Sequence, residues 1–381
     1  MIKEYLGSKL LPEILRMNDG RACDTPALWQ ERRKEILDLF SSEVYGYMPP
    51  APEHITFTVK EQLEGQVMGL ASYSRVEASF LTPKGPFQFE FDFYRPYSDK
   101  KVPAIVFLQF SMTSIASTFP VEEIIRSGFA VAQVYNGDIM KDTNDFSQGL
   151  GGMFLTQTSQ WDDLCAPAFA ANRKRGETQS GMIGIWAYGA SRIMDYLQTL
   201  DCIDHSRIAV AGHSRLGKTA LWTAANDERF RVAFISASGN SGASLHRFKS
   251  DDNEHLAQIA EVFPYWFSKR YPGYAGHEDE MPFDMHMLLS SLAPRAFYVC
   301  SGSTDTWAGP NTEYLCCVAA SEPYRMLGGK GLVHPDRFPQ AGDAFDSGDV
   351  GYSMHEGGHF MGSFEWNNVM AFMKRLSSQD E

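Results

Sequence analysis

The chain has 381 residues, 44% hydrophobic and 21% charged, with a formal net charge of -13, so it can bury a large core and is not disordered in bulk. The acidic balance argues against nucleic acid or an anionic membrane surface as the main partner, although a few local cations suffice for an anionic small substrate. No apolar run reaches about 18 residues, which excludes a membrane-spanning helix.

In chain order, residues 1–17 carry scattered charges and no continuous apolar stretch, so no secretory leader is read there. A cytoplasmic location is expected, or a secreted one if a leader has been removed. Residues 26–48 predict a helix, with Thr25 as cap, Pro26 at its first position, an apolar stripe including Ile36 and Phe40, and Met48-Pro49-Pro50 as the stop. Ile55–Val59, Tyr73–Leu81 and Phe87–Tyr94 alternate as antiparallel strands do, with a turn at 83–86 between the last two. Helix and strands together make an N-terminal segment of about residues 1–100. Ala104–Leu108 and Ala130–Val134 are instead short apolar runs, the pattern of parallel strands covered on both faces. A helix at 121–126 joins them. Residues 137–175 are irregular and read as a surface insertion.

Met182–Leu200 predicts a strong helix, Arg207–Ala211 a strand, Val232–Ser236 and Ala296–Ser301 two more buried strands, and 363–376 a last helix. Residues 238–292 form a second insertion. Strands alternating with helices imply a mostly parallel sheet with helices on both faces, a three-layer α/β fold. Without repeats or a linker, 1–381 reads as one catalytic domain. The six cysteines, Cys23, Cys165, Cys202, Cys300, Cys316 and Cys317, show no C-x-x-C spacing and read as buried free thiols of a reducing compartment.

Chemistry concentrates at Gly212-His213-Ser214-Arg215-Leu216-Gly217-Lys218, which follows a buried strand and opens a helix. An α/β-hydrolase presents its nucleophilic serine in that context. Gly212 permits the sharp turn, and the backbone N–H of Arg215 is placed to bind an oxyanion. The spacing departs from G-x-S-x-G, because the second glycine is at +3, and a helix N-cap serine would give the same match. Arg215 and Lys218 oppose the helix dipole, which suggests that they serve something anionic; the alternative is that they face solvent. The chain order Ser, acid, His is met by Asp305, just past the strand at 296–301, and by His359, before the last helix. A turn aspartate is the bland alternative for Asp305. His355-Glu356-Gly357-Gly358-His359 matches the zinc motif H-E-x-x-H. Its two glycines would cost a helix about 2 kcal/mol, and no third ligand is evident, so a loop holding His359 is expected. Neither a metal nor another cofactor is called for. His213, His246, His255, His277, His286 and His334 read as structural.

These residues resemble the glucuronoyl esterases, carbohydrate esterase family 15, bacterial more than fungal. The likeness rests on the 212–218 segment, on Trp186–Arg192, on Phe263-Pro264-Tyr265-Trp266-Phe267, on Pro282–His286, on Ala293-Pro294-Arg295 and on Asp305-Thr306-Trp307-Ala308. It implies an α/β-hydrolase that cleaves an ester between glucuronic acid on xylan and a lignin alcohol, with xylan or a xylo-oligosaccharide as partner. The resemblance makes Ser214 the nucleophile, His359 the base and Arg215 the oxyanion residue. It puts Lys218, Trp307 and Glu254 on the sugar. Fungal members carry the acid as a Glu after the strand that follows the nucleophile helix, where this chain has Ala237 between Ser236 and Ser238. Asp305 is then the acid, as in some bacterial members. The loop Leu108–Met112 departs from the family pattern, so no second oxyanion donor is assigned. The rival activities are an acetyl or feruloyl esterase on plant polysaccharide, a zinc hydrolase using His355, Glu356 and His359, and a non-catalytic carbohydrate-binding protein.

Overall fold

Among the described residues, ten strands form one mixed sheet in the order β1-β2-β3-β5-β4-β6-β7-β8-β10-β9. They are β1 (Ile55–Gly65), β2 (Ala71–Thr82), β3 (Gly85–Pro96), β4 (Val102–Gln109), β5 (Ala130–Tyr135), β6 (Ile203–His213), β7 (Val232–Ser236), β8 (Ala296–Gly302), β9 (Ala344–Phe345) and β10 (Val350–His355). The computed structural model describes residues 1–110, 119–155 and 175–377.

The first three strands are antiparallel, as their alternation predicts. β4 pairs in parallel with β5 and β6, and parallel pairing continues through β7 and β8 to β10. The continuous apolar runs follow from burial on both faces. In β4, Ala104, Val106 and Leu108 enter one core, while Ile105 and Phe107 enter the other. The second core is closed by the helices Val121–Arg126 and Ser363–Ser377. Trp366, fully buried there, meets the rings of Phe107 and Phe234 edge-on at 5.0 and 5.4 Å. The larger core lies under the helices Pro26–Phe40, Met182–Leu197, Arg215–Asn226, Met285–Ser290 and Pro310–Ala319. The result is the three-layer α/β-hydrolase architecture expected.

Three local expectations need correction. The N-terminal helix does not run to 48: Thr25 caps it as expected, accepting from the Leu28 N–H at 3.2 Å, but the helix ends at Phe40 and continues as a π-turn, Ser41–Tyr45. Gly46, at φ 82, stops it, and a Cβ there would lie 2.3 Å from the Gln179 carbonyl oxygen. The described part of 137–175 lies only partly at the surface. Ile139, Met140, Phe146 and Leu150 are buried, and Met140 accepts from Trp186 Nε1 at 2.8 Å. This segment covers the outer side of Met182–Leu197, which explains why that helix, ending three residues before Leu200, is buried on nearly every side. Residues 156–174, with Cys165, lie outside the described residues. Cys23, Cys300, Cys316 and Cys317 are buried free thiols, but Cys202 is only partly buried.

Parallel strands end on the same side of a sheet. The C-terminal ends of β4, β6, β7, β8 and β10 therefore deliver Phe110, Ser214, Ser238, Asp305 and His359 to one edge. The chain leaves β4 for β5 on one side and then crosses to β6 on the other. That reversal opens a crevice at the strand ends, where open α/β sheets bind ligands.

Candidate active site

Ser214 sits between β6 and the helix Arg215–Asn226 at φ 58, ψ -128. Such a conformation costs a non-glycine residue about 1–3 kcal/mol. The turn is held open by its own bonds: the Ser214 N–H donates to the Ser236 carbonyl at 2.8 Å, and its carbonyl accepts from Gly217 N at 2.9 Å. A Cβ on Gly212 would lie 2.1 Å from the Leu216 carbonyl oxygen, so only glycine fits two residues before the serine. The +3 glycine also has a physical cause. A Cβ on Gly217 would come 3.0 Å from the Ser236 carbonyl oxygen and 3.1 Å from Ser238 Cβ. The close approach to the end of β7 falls at +3 here, and +2 is occupied by the buried Leu216. As first residue of its helix, Arg215 has a backbone N–H with no partner in the preceding turn.

His359 Nδ1 donates to Asp305 Oδ2 at 2.6 Å. The Asp305 side chain is 4% exposed and that of His359 43%, so the carboxylate is enclosed and the imidazole open. With its proton fixed on Nδ1, the ring presents Nε2 as an acceptor. Asp305 also accepts from the Ala308 N–H at 3.3 Å. On its other side His359 lies against His213, ring centroids 4.5 Å apart. Burial, and then the neighbouring His359, push the His213 imidazole down to about 3, so it packs as a neutral ring, with Nδ1 3.1 Å from Ser236 Oγ.

His355 and His359 do not converge on one ligand, because each holds its own carboxylate. His355 Nδ1 forms a 2.5 Å ion pair with Glu365 Oε1, a close approach without aligned hydrogen-bond geometry. Its Nε2 lies 3.0 Å from the Gly358 carbonyl, and Glu365 Oε2 accepts from the Gly362 N–H at 2.7 Å. The two side chains thus brace both ends of the loop that carries His359. Among the described residues no group of three or more His, Cys, Asp or Glu is arranged to hold a metal ion.

Neither Arg215 nor Lys218 points idly at solvent. Arg215 bonds Asp142 Oδ2 at 2.6 Å and lies over Trp266 at 4.7 Å and over Phe110 and Phe263 at 5.4 Å. Asp142 Oδ1 in turn accepts from Trp266 Nε1 at 2.7 Å. Lys218 is 4% exposed, its Nζ donating to the Ser238 carbonyl at 2.6 Å, 3.9 Å from Glu254 Oε2. Burial pushes its ammonium below the ordinary lysine range, and Glu254 opposes that. Glu254 is tied to Trp307, whose carbonyl accepts from the Glu254 N–H at 2.8 Å, and Trp307 itself is 49% exposed. Five rings and chains (Phe110, Phe263, Trp266, Trp307 and the Lys218 stem) therefore surround an edge bearing one strained serine, one histidine–aspartate pair and two braced cations.

This geometry has known counterparts. A family model described as glucuronyl esterase, fungi, matches residues 174–328. A carbohydrate esterase from an unknown prokaryotic organism is 32% identical over 400 residues, covering 95% of this chain and 88% of the relative. A solved CE15 esterase from a marine bacterial metagenome, described as promiscuous, is 30% identical with a TM-score of 0.82, each chain 96% covered.

The chain belongs to carbohydrate esterase family 15.

It is a carboxylic ester hydrolase of that family. Two further members bracket it: a glucuronoyl esterase from Solibacter usitatus, 29% identical, TM-score 0.85, with 96% of this chain and 97% of that one covered, and a 4-O-methyl-glucuronoyl methylesterase from Wolfiporia cocos, 28% identical over 333 residues, 84% of this chain and 72% of the relative.

All seven residues singled out in the sequence, Ser214, Arg215, Lys218, Glu254, Asp305, Trp307 and His359, lie in this one linked set of contacts. Sequence reasoning missed Asp142, the brace of Arg215, because an aspartate in an irregular stretch carries no signal until the fold sets it beside Trp266. It gave His213 no role at the site, although His213 packs against His359 and directly precedes Ser214. Nor was Glu313 found, since it reads as an ordinary first-turn glutamate of the helix Pro310–Ala319.

Proposed function

We propose that this esterase hydrolyses the ester between glucuronic acid on xylan and a lignin alcohol, with Ser214 as nucleophile, His359 as base and Asp305 as the acid that orients it. His359 Nε2 takes the Ser214 hydroxyl proton as Oγ attacks the uronate carbonyl. The backbone N–H of Arg215 donates to the oxyanion, an interaction whose loss typically costs about 3 kcal/mol. The intermediate collapses, the alcohol leaves with the proton from His359, and water, deprotonated by the same imidazole, releases the uronic acid from Ser214. Lys218, Glu254 and Trp307 hold the sugar.

The observation that carries the proposal is the 2.6 Å bond from His359 Nδ1 to an enclosed Asp305, on the sheet edge where Ser214 is strained. Three features support a sugar acyl group over a bare acyl chain: aromatic faces, a half-exposed tryptophan, and a buried ammonium beside a carboxylate. The test compares a benzyl glucuronate ester with acetylated xylan, using wild type and Ser214→Ala. Release of benzyl alcohol that Ser214→Ala abolishes is expected. Release of acetate with no cleavage of the glucuronate ester would instead make this an acetyl esterase.

A further inference from the structure

We propose that Glu313 is the positioning residue that sets Lys218, and through it the enzyme's selectivity for a sugar ester; this rests on the glucuronoyl esterase function proposed above. Glu313 is fully buried one turn into the helix Pro310–Ala319. Its Oε1 accepts from the Gly239 N–H at 2.9 Å and from Ser238 Oγ at 3.3 Å. Its Oε2 accepts from Ser301 Oγ at 2.6 Å.

The Gly239 N–H and the Ser238 carbonyl belong to one peptide unit, which is planar and rigid. Glu313 grips one end of that unit, and Lys218 Nζ donates to the other at 2.6 Å. The direction of the ammonium is therefore set by a carboxylate it does not touch. The unit needs such a hold, because it lies in a contorted turn: Ala237 stands at φ 41 and Gly239 at φ 60. This is the segment in which the resemblance places the fungal acid, and here no side chain of 235–239 is a carboxylate. Glu313 brings one to it from a different helix. Through Ser301, at the end of β8, the same carboxylate reaches the strand that leads to Asp305. Burial pushes the Glu313 carboxyl up to about 7, against the pull of its hydrogen bonds. Nearby sit the buried Lys218 and the partly buried Lys249, whose Nζ donates to Ser244 Oγ at 3.1 Å.

The experiment measures kcat and KM for benzyl glucuronate ester and for p-nitrophenyl acetate, which has no sugar for Lys218 to hold. Glu313→Gln keeps the shape and one accepting oxygen but puts an amide NH2, which cannot accept, where the second accepting oxygen stands. It is expected to raise KM for the glucuronate ester about tenfold, leaving kcat/KM for the acetate ester within about twofold of wild type. Ser301→Ala, which leaves the carboxylate and removes a single bond, is expected to shift the same KM in the same direction by less, and it keeps the test available should Glu313→Gln fold poorly. An unchanged KM for the glucuronate ester in both variants, or equal losses on both substrates, overturns the role of Glu313. A wild type that does not cleave the glucuronate ester overturns the proposed function, and the selectivity with it.

Discussion

Asp305 is the residue whose role the geometry makes most testable. Its carboxylate is enclosed, accepts the Nδ1 proton of His359 and has a second donor in the Ala308 N–H. An amide in its place would present an N–H to the imidazole and favour the wrong tautomer. Asp305→Asn is expected to lower kcat by about 10^3–10^4-fold with little change in KM, read by steady-state kinetics on the benzyl ester. A fall below tenfold would mean that another carboxylate orients His359. The zinc alternative is tested at the same scale. His355 and His359 hold separate carboxylates, so dialysis against a strong chelator is expected to leave activity unchanged; loss that zinc restores would require a different mechanism.

Elements, more than residues, explain why the turn at Ser214 departs from the usual spacing. The first turn of the helix Arg215–Asn226 is pressed onto the end of β7, and the glycine follows that contact to +3. Gly212→Ala would drive a methyl group into the Leu216 backbone, 2.1 Å away, whereas Gly217→Ala meets the Ser236 oxygen at 3.0 Å. Overpacking of this kind costs about 1–3 kcal/mol. Gly212→Ala is expected at or above the top of that range and Gly217→Ala near the bottom, measured by urea denaturation; the reverse order would contradict the turn described.

The loop after β10 makes its own prediction. Burial pushes the His355 imidazole down, but Glu365 outweighs it and the net shift is upward, with Asp305 adding to the lift. His213 faces it as a neutral ring. A histidine raised above its unfolded value of about 6.5 contributes stability that is present below that value and is lost as pH rises through the folded one. The melting temperature of wild type is therefore expected to fall over that rise, and Glu365→Gln to flatten the slope. An identical slope in the variant would show that the pair does not brace the loop.

Across the whole molecule, the sheet is held between two cores, and the smaller one depends on a few large side chains. Trp366 fills the space between the last helix and Phe107, Phe119 and Phe234. Trp366→Ala is expected to cost about 3–5 kcal/mol, seen as a lowered denaturant midpoint. Because the last helix follows the His359 loop directly, activity should be lost at a lower temperature as well. A loss below about 1 kcal/mol would mean that the helix packs independently of that ring.

Much of this was legible in the chain itself. Period-two alternation announced β1 to β3, and continuous apolar runs announced the parallel strands, because hydrophobic burial leaves its period in the sequence. The order of Ser214, Asp305 and His359 was readable for a related reason: each follows a strand, and parallel strands bring their ends together. The limit of the N-terminal helix was not readable, since Gly46 is required by the approach of Gln179, a contact made across a long separation in the chain. The burial of Ile139, Met140, Phe146 and Leu150 was hidden for the same reason. So were Asp142 under Arg215, His213 against His359 and Glu313 behind Lys218, where a common side chain becomes specific only through its neighbour. The fold class and the candidate triad of Ser214, Asp305 and His359 were open to a reading of the chain alone, because they depend on local periodicity and on chain order. What braces those groups emerged from the folded molecule, because a hydrogen bond between distant segments leaves no period or spacing to read.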